Sequence, residues 1–239
     1  MRVLFVHGAC VVDVAWWWQW MEAPLAERGA RSAAVALPSC GPATGDGPLG
    51  DLYDDIAAVR AASAGEEPTV LVAHSYGGMV VSAAAAGLAN VRHLVYLASM
   101  LPEADQALAE LVDPDAPRWL EPADQHALRL RGDLTEGDLR AHFLHDCPPE
   151  LVAGALTRTG RQSTSVFGQP PSHAAWRELP STSVVCADDR ATPPDTQRRW
   201  AAHADTVVEL ASGHYPFLSR PTELATIVAS VDTRAGGKR

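Results

Sequence analysis

A chain of 239 residues and 25.4 kDa can bury one good core and is short for two independent domains. Its 19 Lys and Arg against 29 Asp and Glu leave a formal charge of -10, which repels phosphate backbones and anionic lipid surfaces and argues against nucleic acid as a partner. Cys10, Cys40, Cys147 and Cys186 lie far apart, with no CxxC pair or nearby histidine cluster, so neither a zinc site nor a disulfide framework is indicated.

Free buried thiols in a reducing cytoplasm are therefore expected. After Met1 and Arg2 only Val3 to Val6 are apolar before His7 and Gly8, far short of a signal h-region, and nothing approaches the roughly 20 apolar residues of a membrane span. The expectation is a soluble, cytoplasmic protein that does not engage a membrane.

Val3 to Val6 reads as a central strand, and the turn His7-Gly8-Ala9-Cys10 after it lets a backbone approach a ligand closely. A dense aromatic patch follows: Trp16, Trp17, Trp18 and Trp20 lead into Met21 and Leu25 at helical spacing, with Pro24 expected to start or kink the helix. Most of these tryptophans suit a core. Trp16 and Trp17, nearest the His-Gly turn, are the two placed at a pocket.

Ala33 to Leu37 is a second strand candidate, ended by Pro38 and a loop rich in glycine and proline from Gly41 to Gly50. Leu52, Ile56 and Val59 mark one face of a helix running to about Ala64. Next, Val70 to Val80 reads VLVAHSYGGMV: a short apolar strand, one serine, then an Ala-rich run that opens a helix at Gly77. Ser75 thus sits on a strand-to-helix turn. A serine hydroxyl is a weak nucleophile at neutral pH and needs exposure, a neighbouring base and a donor for the oxyanion it creates, and this sharp turn meets the first and third needs together. Strand and helix nearly collide there, so only small residues fit two positions either side, here Ala73 and Gly77. The usual pattern is GxSxG. Ala73 departs from its first glycine but keeps the size rule, and the same string also suits a plain strand, turn and Ala/Gly helix without chemistry.

Val91 to Ala98 is another strand. From Leu101 to about Leu179 the chain changes character, with many Pro and Asp residues, helical stretches at Leu120 to Leu130 and Thr135 to Leu144, and no convincing strand. This reads as a helical lid inserted into the sheet domain, whose large residues Trp119, Phe143, Phe167 and Trp176 supply much of a substrate pocket. Ser183 to Ala187 and Thr206 to Leu210 resume the sheet. Asp188 and Asp189 follow the first of these strands and Ser212-Gly213-His214 the second, where parallel-sheet sites collect polar groups. Pro221 precedes a last amphipathic helix, and residues 234–239 form a tail expected to fray. The expected division is residues 1–100 and 180–233 for the core and 101–179 for the lid.

In chain order these turns present Ser75, then Asp188 or Asp189, then His214, the Ser, acid, His order of the α/β-hydrolase fold. The sequence resembles the small α/β-hydrolases related to plant methyl-ester esterases and hydroxynitrile lyases, particularly their bacterial relatives. HGAC at 7–10, AWWW at 15–18, AHSYGGM at 73–79, HLVYLASMLP at 93–102, HDCPPE at 145–150, DDRATPP at 188–194 and GHYPFLSRP at 213–221 carry the likeness over nearly the whole chain.

The resemblance implies a mostly parallel sheet with flanking helices and an inserted helical lid. It makes Ser75 the nucleophile, His214 the base, and Asp189 the acid, because the family's acid lies five residues before a proline, here Pro194. It also implies an oxyanion hole formed by the backbone N–H groups of Ala9 and Tyr76. Tyr215, beside the base, is a further pocket residue, and His7 and His74 are read as structural.

Two features depart from the pattern. Val11 to Val14 stand where the family has a shorter His-Gly, altering the pocket mouth, and Tyr215 and Gly8 replace the lysine and threonine that distinguish the lyase branch. The expected activity is cleavage of a small to medium, mostly apolar carboxylic ester or lactone, with no metal or organic cofactor. Acyl transfer, elimination or cyclisation on the same scaffold, and a ligand-binding vestigial hydrolase, stand as alternatives. Assembly is left open, a homodimer included.

Overall fold

In a computed structural model, residues 1–45, 47–112 and 118–231 are described. The tail at 234–239 lies outside them. Strand β1 (Arg2–Val6) is followed by helix α1 (Val14–Ala26), β2 (Arg31–Val35), the two-residue β3 (Cys40–Gly41), α2 (Leu52–Ala62), β4 (Thr69–His74), α3 (Gly77–Ala84) and β5 (Val91–Leu97). An inserted segment then carries α4 (Leu108–Leu111), β6 (Leu120–Pro122), β7 (Ala127–Leu130), α5 (Glu136–Phe143), α6 (Pro149–Leu156) and β8 (Arg161–Ser163). The chain returns through β9 (Ser181–Cys186), α7 (Pro194–Ala201), β10 (Thr206–Leu210), α8 (Pro216–Ser219) and α9 (Pro221–Ser230).

The main sheet has six strands in the order β10-β9-β5-β4-β1-β2, and every adjacent pair is parallel. Its central strands are apolar on both faces because both are covered. Val3, Phe5, Val70, Val72 and Val95 pack with Trp17, Trp18, Met21 and Leu25 of α1 and Leu224 and Val228 of α9. The alternate residues Leu4, Val6, Leu71, Ala73 and Leu94 pack with Leu52 and Val59 of α2 and Val80 and Val81 of α3. This is the α/β-hydrolase architecture expected from the sequence, its second strand displaced to Arg31–Val35 from the expected Ala33 to Leu37.

The inserted segment corrects one expectation. Leu120 to Leu130 is a β-hairpin and not a helix, and β6, β7 and β8 join β3 in a four-stranded antiparallel sheet of order β3-β8-β7-β6. Pro122 has no N–H for a helix, and the Asp124 carboxylate accepts the His126 N–H at 2.7 Å, closing the turn between the strands. Arg161 on β8 then holds the other oxygen of Asp124 at 2.9 Å, tying the hairpin to its neighbour. The helix expected at Thr135 to Leu144 is α5, with Thr135 as its cap.

Among the described residues, no helix is long and apolar enough to cross a membrane.

Candidate active site

Ser75 follows β4 with φ +51°, a left-handed conformation that costs a non-glycine residue energy and is held by the packing around it. A Cβ on Gly77 would lie 2.5 Å from the Val6 carbonyl and 2.9 Å from that of His7, so glycine alone lets α3 start this close to β1. A Cβ on Gly8 would lie 3.0 Å from Ser75 Cβ. From the turn after β5, the Ser99 hydroxyl donates to the Ser75 carbonyl at 2.5 Å and fixes the elbow from below.

His214 lies on the loop after β10, only 5% exposed, and its Nδ1 is 2.7 Å from Asp189 Oδ2. Asp189, in the turn after β9, is 4% exposed and fully bonded: Oδ1 accepts the Ala191 and Thr192 N–H groups at 2.8 and 2.9 Å, and Oδ2 also accepts Gln197 Nε2 at 2.8 Å. Four donors fix the orientation of the carboxylate. Asp188 is exposed, its backbone N–H bonds the Ser212 carbonyl at 3.0 Å, and among the described residues its side chain makes no hydrogen bond to His214. The structure therefore brings Asp189, and not Asp188, against His214.

Ser75 and His214 wall the same cavity. Among the described residues no hydrogen bond joins the Ser75 hydroxyl to His214 Nε2, a contact that in ligand-free hydrolases is often long and tightens with substrate. Ala9 and Tyr76 also border the cavity space around Ser75. Among the described residues their backbone N–H groups donate to no protein acceptor, which leaves both available to a ligand oxygen.

The two histidines read as structural are buried and neutral. Burial lowers His7 to about 4, and its ring bridges the Gly8 carbonyl at 2.7 Å and the Leu37 N–H at 3.1 Å. Burial, with His214 nearby, holds His74 well below the usual imidazole range, and its Nε2 donates to the His214 carbonyl at 2.9 Å. A neutral His74 ring 4.7 Å from the His214 ring adds no positive charge beside an imidazolium.

Of the six pocket residues expected from sequence, Trp17, Trp119, Phe143 and Tyr215 line the cavity around Ser75 and His214. Phe167 lines an adjoining one. Trp16 lines neither. It packs edge-on to Trp17 and Trp20 with the Arg158 guanidinium 4.7 Å over its ring, and a Cβ on Gly154 would lie 2.5 Å from it. Neighbouring positions on one helix point about 100° apart, and with Trp17 turned to the cavity Trp16 is directed onto Trp20 and Arg158 instead. Trp176, expected to help form the pocket, lines neither cavity: it is buried and its indole N–H donates to the Pro102 carbonyl at 2.7 Å.

Three supporting groups were not legible as such. Asp146, between α5 and α6, accepts the Gly213 N–H at 2.7 Å; Gln197 on α7 holds Asp189; and buried Asp55 on α2 accepts the Tyr76 hydroxyl at 2.7 Å. Asp146 falls inside the HDCPPE block, but nothing in that string says what it bonds. Among the described residues, no group of three His, Cys, Asp or Glu side chains is placed to hold a metal ion.

A sequence profile described as the Alpha/beta hydrolase family matches residues 3–227. The α/β-hydrolase nvfD of Aspergillus novofumigatus is 30% identical over 80% of this chain and 81% of its own length. Methylesterase 7 of Arabidopsis thaliana is 25% identical over 96% of this chain and 95% of its own. Among solved structures, a pyrethroid hydrolase from Sphingobium faniae JZ-2 superposes with a TM-score of 0.82 at 25% identity, covering 96% of both chains.

Proposed function

Because this chain belongs to the α/β-hydrolase family, we propose that it is a carboxylic ester hydrolase of the Ser-His-Asp type. Its substrate is a small to medium, mostly apolar ester or lactone, and no metal or organic cofactor takes part. The observation that carries the reading is the 2.7 Å bond from buried Asp189 to His214 at the edge of a cavity that also exposes Ser75. The names of the pyrethroid hydrolase and the methylesterase support the ester class.

His214 Nε2 takes the Ser75 proton as Oγ attacks the ester carbonyl, and the Ala9 and Tyr76 N–H groups hold the oxyanion. Such a donor is worth about 3 to 4 kcal/mol in the transition state. His214 then protonates the leaving alcohol, and a water deprotonated by the same ring releases the acid. Asp189 holds the tautomer with Nδ1–H and stabilises the imidazolium. The apolar walls of Trp17, Phe143 and Leu144 favour an uncharged substrate. The inserted segment 101–179 acts as the lid over this pocket.

The experiment is a panel of esters varying in acyl and alcohol size, run with and without a competing alcohol acceptor. Acid release that persists at full rate beside the acceptor supports hydrolysis. A transesterified product as the main species would replace hydrolysis by acyl transfer, and no turnover on the whole panel would favour a ligand-binding role.

A further inference from the structure

Ser75 stands where two cavities meet. The smaller, about 160 Å³, is bounded by Trp17, Leu139, Phe143, His214 and Tyr215. The larger, about 500 Å³, is bounded mainly by Tyr76, Met100, Leu108, Leu128, Phe167 and Trp200, with the exposed Arg118 as its one charged side chain among the described residues. Ala9 and Ser75 border both. His214 walls only the smaller, and Tyr76 only the larger.

This asymmetry decides which half of an ester goes where. In the tetrahedral intermediate the carbon carries Ser75 Oγ, the oxyanion, the ester oxygen and the acyl chain. The oxyanion is directed at the Ala9 and Tyr76 N–H groups. When the bond from that carbon to the ester oxygen breaks, the departing oxygen takes the proton from His214 Nε2, so the alcohol must lie on the His214 side. The acyl chain is left with the other direction. Once the alcohol has gone, the space it vacates beside His214 is where the water of deacylation must enter, giving one proton to His214 as its oxygen bonds the acyl carbon.

We propose that the protein cleaves esters joining a bulky apolar acid, housed in the larger lobe, to a compact apolar alcohol about the size of one ring, housed in the smaller lobe. The inference rests on the ester-hydrolase reading and adds the orientation and the two sizes. An apolar cavity of about 150 Å³ accepts benzene, which sets the scale of the alcohol well above methanol. The larger lobe falls within the roughly 300–1,000 Å³ of small-molecule sites. No carboxylate lines the smaller lobe among the described residues, so a cationic alcohol would find no counter-charge there.

Reversed esters test the orientation. Cyclohexyl 1-naphthylacetate and 1-naphthylmethyl cyclohexanecarboxylate contain the same atoms with the ester group turned round. With kcat/KM normalised to alkaline hydrolysis, the naphthylacetate should lead by about tenfold or more, the scale on which an apolar pocket discriminates size. Leu139→Trp, which narrows the smaller lobe, should lower the ratio of cyclohexyl to methyl naphthylacetate turnover by about tenfold. Leu128→Trp, in the larger lobe, should instead lower the ratio of cyclohexyl naphthylacetate to cyclohexyl acetate.

Equal or reversed preference between the two isomers, or lobe variants whose effects are exchanged, would overturn the assignment. If wild type still cleaves p-nitrophenyl acetate and Ser75→Ala does not, only the orientation has failed. If neither cleaves any ester, the hydrolase reading falls and this inference with it.

Discussion

Asp146 Oδ2 accepts the Gly213 N–H at 2.7 Å, so a carboxylate from the inserted segment grips the residue immediately before His214. His74 grips the other side, donating to the His214 carbonyl at 2.9 Å. The base is thus held along its own backbone by two separate parts of the chain, as well as by Asp189 at its ring.

Removing the Asp146 grip frees the loop without touching the ring. Asp146→Ala should lower kcat by about tenfold, equivalent to about 1.4 kcal/mol, the size of one lost hydrogen bond. Asp146→Asn keeps an oxygen that can accept and should recover most of that loss. Steady-state kinetics on both variants, with thermal melts to confirm folding, checks it. Equal activity in wild type and Asp146→Ala would remove the positioning role.

The two neighbouring acids should behave very differently. Asp189→Asn removes the charge opposite His214 Nδ1 and reverses the preferred tautomer, a change that costs about 10⁴ in kcat in the serine-protease case. Asp188 is exposed and makes no side-chain contact with the base. Asp188→Asn should therefore stay near wild-type turnover. Gln197→Leu, which removes one of the four donors to Asp189, should fall between them.

Asp55 offers a pH signature in stability. Its carboxylate is buried against Ser39 and Tyr76, and burial, with a smaller like-charge cost from Asp54, raises it to about 6 despite three hydrogen bonds. The folded protein holds this proton more tightly than the unfolded chain, so stability due to Asp55 is greatest below about pH 4 and falls as pH rises towards 6. The full change is on the order of 3 kcal/mol. His7 and His74 act oppositely, because their lowered values destabilise the fold as pH drops below about 6.5. Comparing wild type with Asp55→Asn isolates the first effect: the difference in unfolding free energy should shift against wild type between pH 4 and about 6.5 and then level off. A pH-independent difference would contradict the assignment.

The centre of the main sheet was legible because Val3 to Val6 and Val70 to Ala73 are short apolar runs ended by polar turns, and two-sided burial leaves no other reading for them, whereas the edge strand β2 opens on Arg31 and Ser32 and shows apolar residues only from Ala33. The insert was harder. Leu120, Leu128 and Leu130 suit a helix or a hairpin equally, and the choice is made by Asp124 and by β8, which lies some thirty residues further on. Ser75 and His214 stood out as polar residues at strand ends. The grips of Asp146 and Gln197 depend on contacts between remote segments, and no local spacing announces them.

The most direct test is labelling with a fluorophosphonate followed by peptide mapping, run beside ester turnover in wild type and Ser75→Ala. The account predicts one adduct, on Ser75, with both labelling and ester cleavage abolished in the variant. Full turnover by Ser75→Ala, or an adduct on another residue, would contradict it.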